Sequence, residues 1–326
     1  MRFSIILRAL IMLLLFSIPG KATAYSISVT EGPALPWGRG AHAAGVLGDK
    51  MVVLGGTNWN EKRTEKHWLS DCTIYLDGIW QQSLSFPIGN GESMYCHDGQ
   101  AIYIAGGRND AEVFRDAYRL CLIAGKLLVD KLPPLPVAIH GGAGVELNGK
   151  FYVSCGFNKE GRQTSDLWSL DIAKPNAGWL RCRPLPGCPR AYPALAASGQ
   201  YLYLLGGYAR LQENTMCLQD AYRYDSQSNE WKCLPNLPWP GYAWSAAAID
   251  DNYILLAGGA AYGNISKDIW LVNTQDMSTQ KLGEAIIQTC TASLVKVDNK
   301  TWWLLGGEPD VNKSRTNKVT VIKLND

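Results

Sequence analysis

Histidine is scarce in this chain. There are four in 326 residues: His42, His67, His97 and His140. None stands at a spacing that would gather a metal ion. No Gly-x-Ser-x-Gly turn is present to raise a nucleophilic serine. No Cys-x-x-Cys pair exists, which argues against a zinc or redox cluster. Paired glycines are frequent, but each ends an apolar run and cradles no phosphate. Charge is sparse, at 18% of residues with a formal net of +2. Residues 1–24 hold three of the 31 basic residues and none of the 29 acidic ones, so the remainder carries −1. That balance gives no electrostatic case for nucleic acid or an anionic membrane. Beyond residue 24 no apolar run is long enough to cross a bilayer.

The N-terminus stands apart. Arg2 and Arg8 precede the apolar run Ile11–Ile18, and Ala22-Thr23-Ala24 follows. This is the layout of a secretory signal peptide cleaved after Ala24, and it predicts a periplasmic or secreted protein. Export would permit disulfides. Nine cysteines follow the leader, an odd count that leaves at least one without an internal partner. Cys182 and Cys188, six apart, are candidates for a local bridge. Cys72, Cys121, Cys155 and Cys290 lie in apolar runs and read as small core residues.

What the chain has in quantity is a repeat. Apolar runs end at Gly55-Gly56, Gly106-Gly107, Gly206-Gly207, Gly258-Gly259 and Gly306-Gly307, with a degenerate copy at Cys155-Gly156. Steps between the second glycines are 51, 49, 51, 52 and 48 residues. A period of about fifty is the spacing of kelch-type propeller blades. Blade four is the cleanest copy: Tyr201 to Gly207, then Tyr222-Arg223-Tyr224, Trp231 and Leu234-Pro235. The chain resembles the kelch-repeat family from residue 25 to 326. The resemblance implies one all-β domain, a six-bladed β-propeller. The last repeat supplies three strands, at 292–297, 301–305 and 318–324. Ser26–Thr30 is therefore expected to complete blade six and close the ring.

In a propeller, the loops after each glycine pair meet at one end of the central channel. So do the segments entering each first strand. The first set carries Asn58 and Trp59, Arg108, Tyr208 and Glu308; the second carries Arg39, Glu92, His140, Arg190, Tyr192 and Tyr242. Rings and directed polar groups suit a sugar, whose apolar face stacks while its hydroxyls are hydrogen-bonded. Arg190, Asn58, Trp59, Arg108, Tyr208 and Tyr242 are the expected substrate-binding residues. Only in blade six does a carboxylate follow the glycines directly; the other copies place Thr57, Arg108, Phe157, Tyr208 and Ala260 there.

The run Asp298 to Glu308, followed by Arg315-Thr316 and Val319, resembles the blade of bacterial N-acetylneuraminate (sialic acid) mutarotases that carries their catalytic glutamate and arginine. Gly55-Gly56-Thr57-Asn58-Trp59 with Lys66, Trp68 and Asp71 is similar to a second mutarotase blade, as is Pro189-Arg190. The glutamate blade comes last here and in mid-chain in the enterobacterial enzyme, which points to a cyclically permuted branch. Glu308 and Arg315 are seven apart, one more than the family pattern.

By that resemblance Glu308 is the acid/base and Arg315 holds the substrate carboxylate. The expected activity interconverts the α and β anomers of a sugar acid with no cofactor or metal. The competing reading is a non-catalytic propeller that binds a glycan or a protein through the same face. The pattern assigns no oligomeric state.

Overall fold

The structure is a computed structural model describing residues 25–325 except Pro87, Gln212 and Glu213. The expected leader, residues 1–24, lies outside the described residues. Among those residues there is no α-helix, only a 3-10 turn at Pro175–Ala177. Among the described residues no helix is therefore long and apolar enough to cross a membrane.

Six antiparallel sheets form the blades of a propeller, five of four strands and the fifth blade's of five, with the short strand Asn264–Ile265 added. Their innermost strands are Ala43–Leu47, Met94–His97, Ala143–Leu147, Ala194–Ser198, Tyr242–Ala248 and Ser293–Lys296. Each packs beside the next, and the sixth packs back on the first. The short runs are strands because each is apolar on both faces and bounded by turn residues. A blade is sandwiched between two others, so both faces are buried, and Ala43–Leu47 is buried at every position.

The ring closes as expected, one residue on from the anticipated segment. Ile27–Glu31 pairs with Val319–Leu324, from Ile27 opposite Leu324 to Glu31 opposite Thr320. The chain start thus becomes the outer strand of the last blade.

The core is six clusters, one at each blade–blade seam. Outer-strand tryptophans tie the seams as well. Trp80, Trp179 and Trp231 donate their indole N–H to the backbone carbonyls of Pro33, Pro133 and Arg183, at 3.1, 2.8 and 2.8 Å. Each acceptor lies about one repeat earlier, so every bond spans a seam. At these three half-buried indoles the repeat supplies the acceptor for the N–H.

The cysteine expectations divide. Cys72, Cys121, Cys155 and Cys290 are buried. Cys182 and Cys188 are not joined: Cys182 donates to the Ser169 hydroxyl at 3.4 Å, Cys188 is exposed, and both are free thiols.

Trp302, in the blade-six strand Thr301–Leu305, is 0% exposed at the seam with blade five. Trp302→Ala leaves a large cavity there and should cost about 3–5 kcal/mol. Urea unfolding followed by circular dichroism measures it; a loss below about 1 kcal/mol would mean that the seam repacks.

Candidate active site at the channel mouth

Two tiers of residues circle one end of the channel, one residue of each tier per blade. The inner tier is Ala41, Glu92, Gly141, Tyr192, Ala243 and Thr291. All six have positive φ, between 50° and 64°. Each backbone N–H donates to the carbonyl of its counterpart in the preceding blade, at 2.7–3.3 Å, and Ala41 closes the circle on Thr291. The outer tier is Thr57, Arg108, Phe157, Tyr208, Ala260 and Glu308, the residues after the glycine pairs. Each is held by an antiparallel bridge to the residue before the inner-tier member of its blade. Glu308 pairs with Cys290, N–H to carbonyl at 2.8 and 3.0 Å in the two directions. Gly307 must be glycine: a Cβ there would sit 2.0 Å from the Thr289 hydroxyl.

The side chains divide the mouth into a charged half and an aromatic half. On the charged side, Glu308 Oε1 accepts from the Thr291 hydroxyl at 3.2 Å and lies 3.3 Å from Arg315 Nη2. Arg315 is anchored through Nε and Nη2 to Thr57 Oγ1, at 3.0 and 2.9 Å, and through Nη1 to the carbonyls of Lys313 and Ser314. Four of the five N–H bonds of the guanidinium therefore have a protein acceptor, and Nη2 is also ion-paired with Glu308. The side chain is 3% exposed. Lys66 and Arg108 lie over the Trp68 ring, at 4.0 and 5.1 Å from its centre. Burial lowers the Lys66 pKa; nearby Glu92 opposes this, while Arg315 and Arg108 reinforce it.

Glu92 links the two halves. Its Oε2 meets His140 Nδ1 at 2.7 Å and accepts from the Tyr192 hydroxyl at 2.8 Å, and Oε1 lies 3.8 Å from Lys66 Nζ. Burial pushes this carboxyl up, but His140, Lys66 and Tyr192 outweigh it and hold its pKa at about 2. The aromatic wall is Phe157, Tyr192, Tyr208 and Tyr242. Tyr242 has neighbouring ring centres at 5.6 and 6.5 Å, and His140 stacks on Phe157 at 5.4 Å. Gly141 leaves room for this: a Cβ there would lie 3.0 Å from the Tyr192 ring. Below the mouth the channel has a volume of about 420 Å3, lined by the inner strands.

Of the expected site residues, Glu308, Arg315, Arg108, Tyr208 and Tyr242 stand at this mouth. Asn58 and Trp59 lie on the adjoining hairpin, Thr57–Trp59 paired with Lys66–Trp68. Asn58 accepts from the Trp59 N–H at 2.8 Å.

Arg190 requires correction. It is 0% exposed and held by Asp220 at 2.6 and 2.7 Å and by the carbonyls of Gly206 and Cys188 at 2.9 and 3.0 Å. It is a structural clamp that has no access to a ligand. Arg39 does the same with Asp71 and the Gly55 carbonyl, at 2.7 and 3.0 Å. Asn90 and Thr289 reach the carbonyls of Gly106 and Gly306, at 2.9 and 2.8 Å. The signal was available: each clamp stands sixteen or seventeen residues before the glycine it holds. Lys66, Trp68, Glu92, His140 and Tyr192 were not among the expected site residues. Their positions in the repeat put Glu92, His140 and Tyr192 at the mouth and Lys66 and Trp68 in the blade-one motif, but single none of them out as substrate-binding.

Fold and mouth together define a six-bladed kelch-type propeller with a charged and aromatic pocket built from the residues after its glycine pairs. Comparison places it further. The N-acetylneuraminate epimerase family model matches residues 132–289. The N-acetylneuraminate epimerases of Haemophilus influenzae (strain PittEE) and Yersinia enterocolitica are 32% and 30% identical over 129 and 135 residues, 39% and 40% of this chain. Each match spans 33% of the relative's own length. The solved structure of YjhT superimposes with a TM-score of 0.72 at 16% identity, over 90% of this chain and 99% of that one. Just under half of the chain therefore resembles the N-acetylneuraminate epimerase family, and the likeness to YjhT shows the propeller fold. The family match ends before Glu308, so blade six rests on its own geometry.

Glu92 also sets an acid response. Its pKa lies below the ordinary 4.5, so its pairing contributes full stability above that value and is lost as pH falls through about 2. Between these limits the melting temperature of the wild type should fall more steeply than that of Glu92→Gln. Parallel curves would show that the carboxylate is not held as described.

Proposed function

We propose that this chain is an exported mutarotase that interconverts the α and β anomers of N-acetylneuraminate. One observation carries the reading. A carboxylate, Glu308, is fixed at the mouth of an aromatic-walled pocket by Thr291 at 3.2 Å and Arg315 at 3.3 Å, with cationic side chains beside it. The names of the relatives support the substrate class. A fold match over 99% of YjhT, with sequence matches over a third of the epimerases, fits a propeller whose termini have moved around the ring. The leader-like residues 1–24 support a periplasmic or secreted location.

Mutarotation of a 2-keto sugar acid needs two proton transfers. Glu308 takes the proton of the anomeric hydroxyl as the bond from that carbon to the ring oxygen breaks. The ring oxygen takes a proton from solvent water, which recovers it on ring closure, and leaves as a hydroxyl, and the anomeric carbon becomes a ketone. After rotation, that hydroxyl adds to the other face of the carbonyl and Glu308 returns its proton. Arg315 and Thr291 hold the carboxylate at one oxygen, which fixes its direction. The aromatic half receives the apolar face of the sugar.

Freshly released α-N-acetylneuraminate, followed by NMR, should equilibrate faster with the protein than in buffer. Glu308→Gln should lower the rate by about 10²–10⁴-fold with the fold intact. Unchanged equilibration with the wild type would sink the mutarotase reading. Sugar binding without acceleration would instead favour a propeller that only binds glycans.

A further inference from the structure

Arg315 is largely committed. Four of its N–H bonds go to Thr57, Lys313 and Ser314, its Nη2 is also ion-paired with Glu308 at 3.3 Å, and its side chain is 3% exposed. A ligand carboxylate could use this guanidinium only by breaking bonds already made.

Arg108 is the opposite case. Its Nε is buried without an acceptor. Among the described residues no hydrogen bond or ion pair takes its guanidinium, and only the Trp68 ring, 5.1 Å away, faces it. Lys66 is also poorly matched. The carboxylate oxygen nearest its Nζ is Glu92 Oε1 at 3.8 Å, the long end of an ion pair. The other Glu92 oxygen is engaged by His140 and Tyr192, and Glu308 is engaged by Thr291 and Arg315. Two cations thus converge on one indole, and among the described residues the only anion within ion-pair distance of either is Glu92, 3.8 Å from Lys66. Partly buried charge without a partner is costly, and a bound anion would relieve it.

We infer that Arg108 and Lys66 form the carboxylate seat of this mouth, and that Arg315 is a positioning residue that aims Glu308. The placement suits the ligand. Arg108 and Glu308 occupy the same tier, and the Lys66 hairpin of blade one lies between them. A carboxylate borne on the anomeric carbon meets the planar fork of Arg108 and the point charge of Lys66 while the anomeric hydroxyl faces Glu308. The inference rests on the mutarotase reading only for the identity of the ligand.

The test compares N-acetylneuraminate with its uncharged C1 carboxamide, by calorimetry and NMR. The wild type should prefer the acid. Arg108→Gln, which breaks no protein hydrogen bond, should weaken acid binding by about 10–100-fold and leave the amide nearly unchanged. Lys66→Met should reduce the same preference. Arg315→Lys should keep the acid-to-amide ratio and lower the kcat of anomerisation. The seat is overturned by a wild type without preference for the acid. It is equally overturned if the ratio survives in folded Arg108→Gln, or collapses in folded Arg315→Lys. A wild type that prefers the acid but does not accelerate anomerisation would end the mutarotase reading alone. In that case the Arg108 ratio would still decide the seat.

Discussion

The closed circle of six backbone hydrogen bonds around the channel is the constraint on which the rest depends. Each bond joins neighbouring blades, so the circle fixes their spacing and their rotation about the axis. It requires the left-handed backbone at Ala41, Glu92, Gly141, Tyr192, Ala243 and Thr291. That conformation is unfavourable for five of the six. It persists because donors facing the channel would otherwise be left unpaired. Side-chain size follows the same logic. Small residues stand in blades one, three and five, and Glu92, Tyr192 and Thr291 stand in blades two, four and six. Two long side chains and a threonine then share a narrow circle, and Glu92 and Tyr192 meet across it at 2.8 Å.

Function arises where the repeat breaks its own symmetry. The outer tier is one backbone position repeated six times, yet it carries Thr57, Arg108, Phe157, Tyr208, Ala260 and Glu308. Identical scaffolding thus presents acid and cations on blades six, one and two, and rings on blades three and four. Rigid strands and bridges hold this tier, so the groups are placed before any ligand arrives and little ordering is left to binding. A second, silent use of the repeat is the polar clamp on the glycine carbonyl of four blades. Arg39 and Arg190 look like site residues because they are arginines beside the mouth. Each is spent on an aspartate and a carbonyl, although Arg39 Nε is left without an acceptor.

Much of this was legible in the linear order. The step between glycine pairs carried the blade count, and a last repeat one strand short led to the N-terminal strand that closes the ring. The carboxylate after Gly307 marked Glu308, because a departure from a repeat at a fixed position is visible without a structure. Arg190 was misplaced because a clamp and a ligand-binding arginine have the same one-dimensional signature. They differ only in whether an acceptor such as Asp220, thirty residues away, is folded against them. Glu92, His140 and Lys66 come from three different blades, and no spacing within one repeat relates them.

Periodicity alone determined the six blades, their strand order and the positions that crowd the channel mouth, because a fifty-residue unit with both faces apolar must stack on copies of itself. The tertiary structure decided which donors are free. Arg315 is consumed by Thr57 of blade one and by its own loop, while Arg108 is left facing Trp68. Whether a charge is available depends on the acceptors that reach it in space, and blade one meets blade six only when the ring is closed.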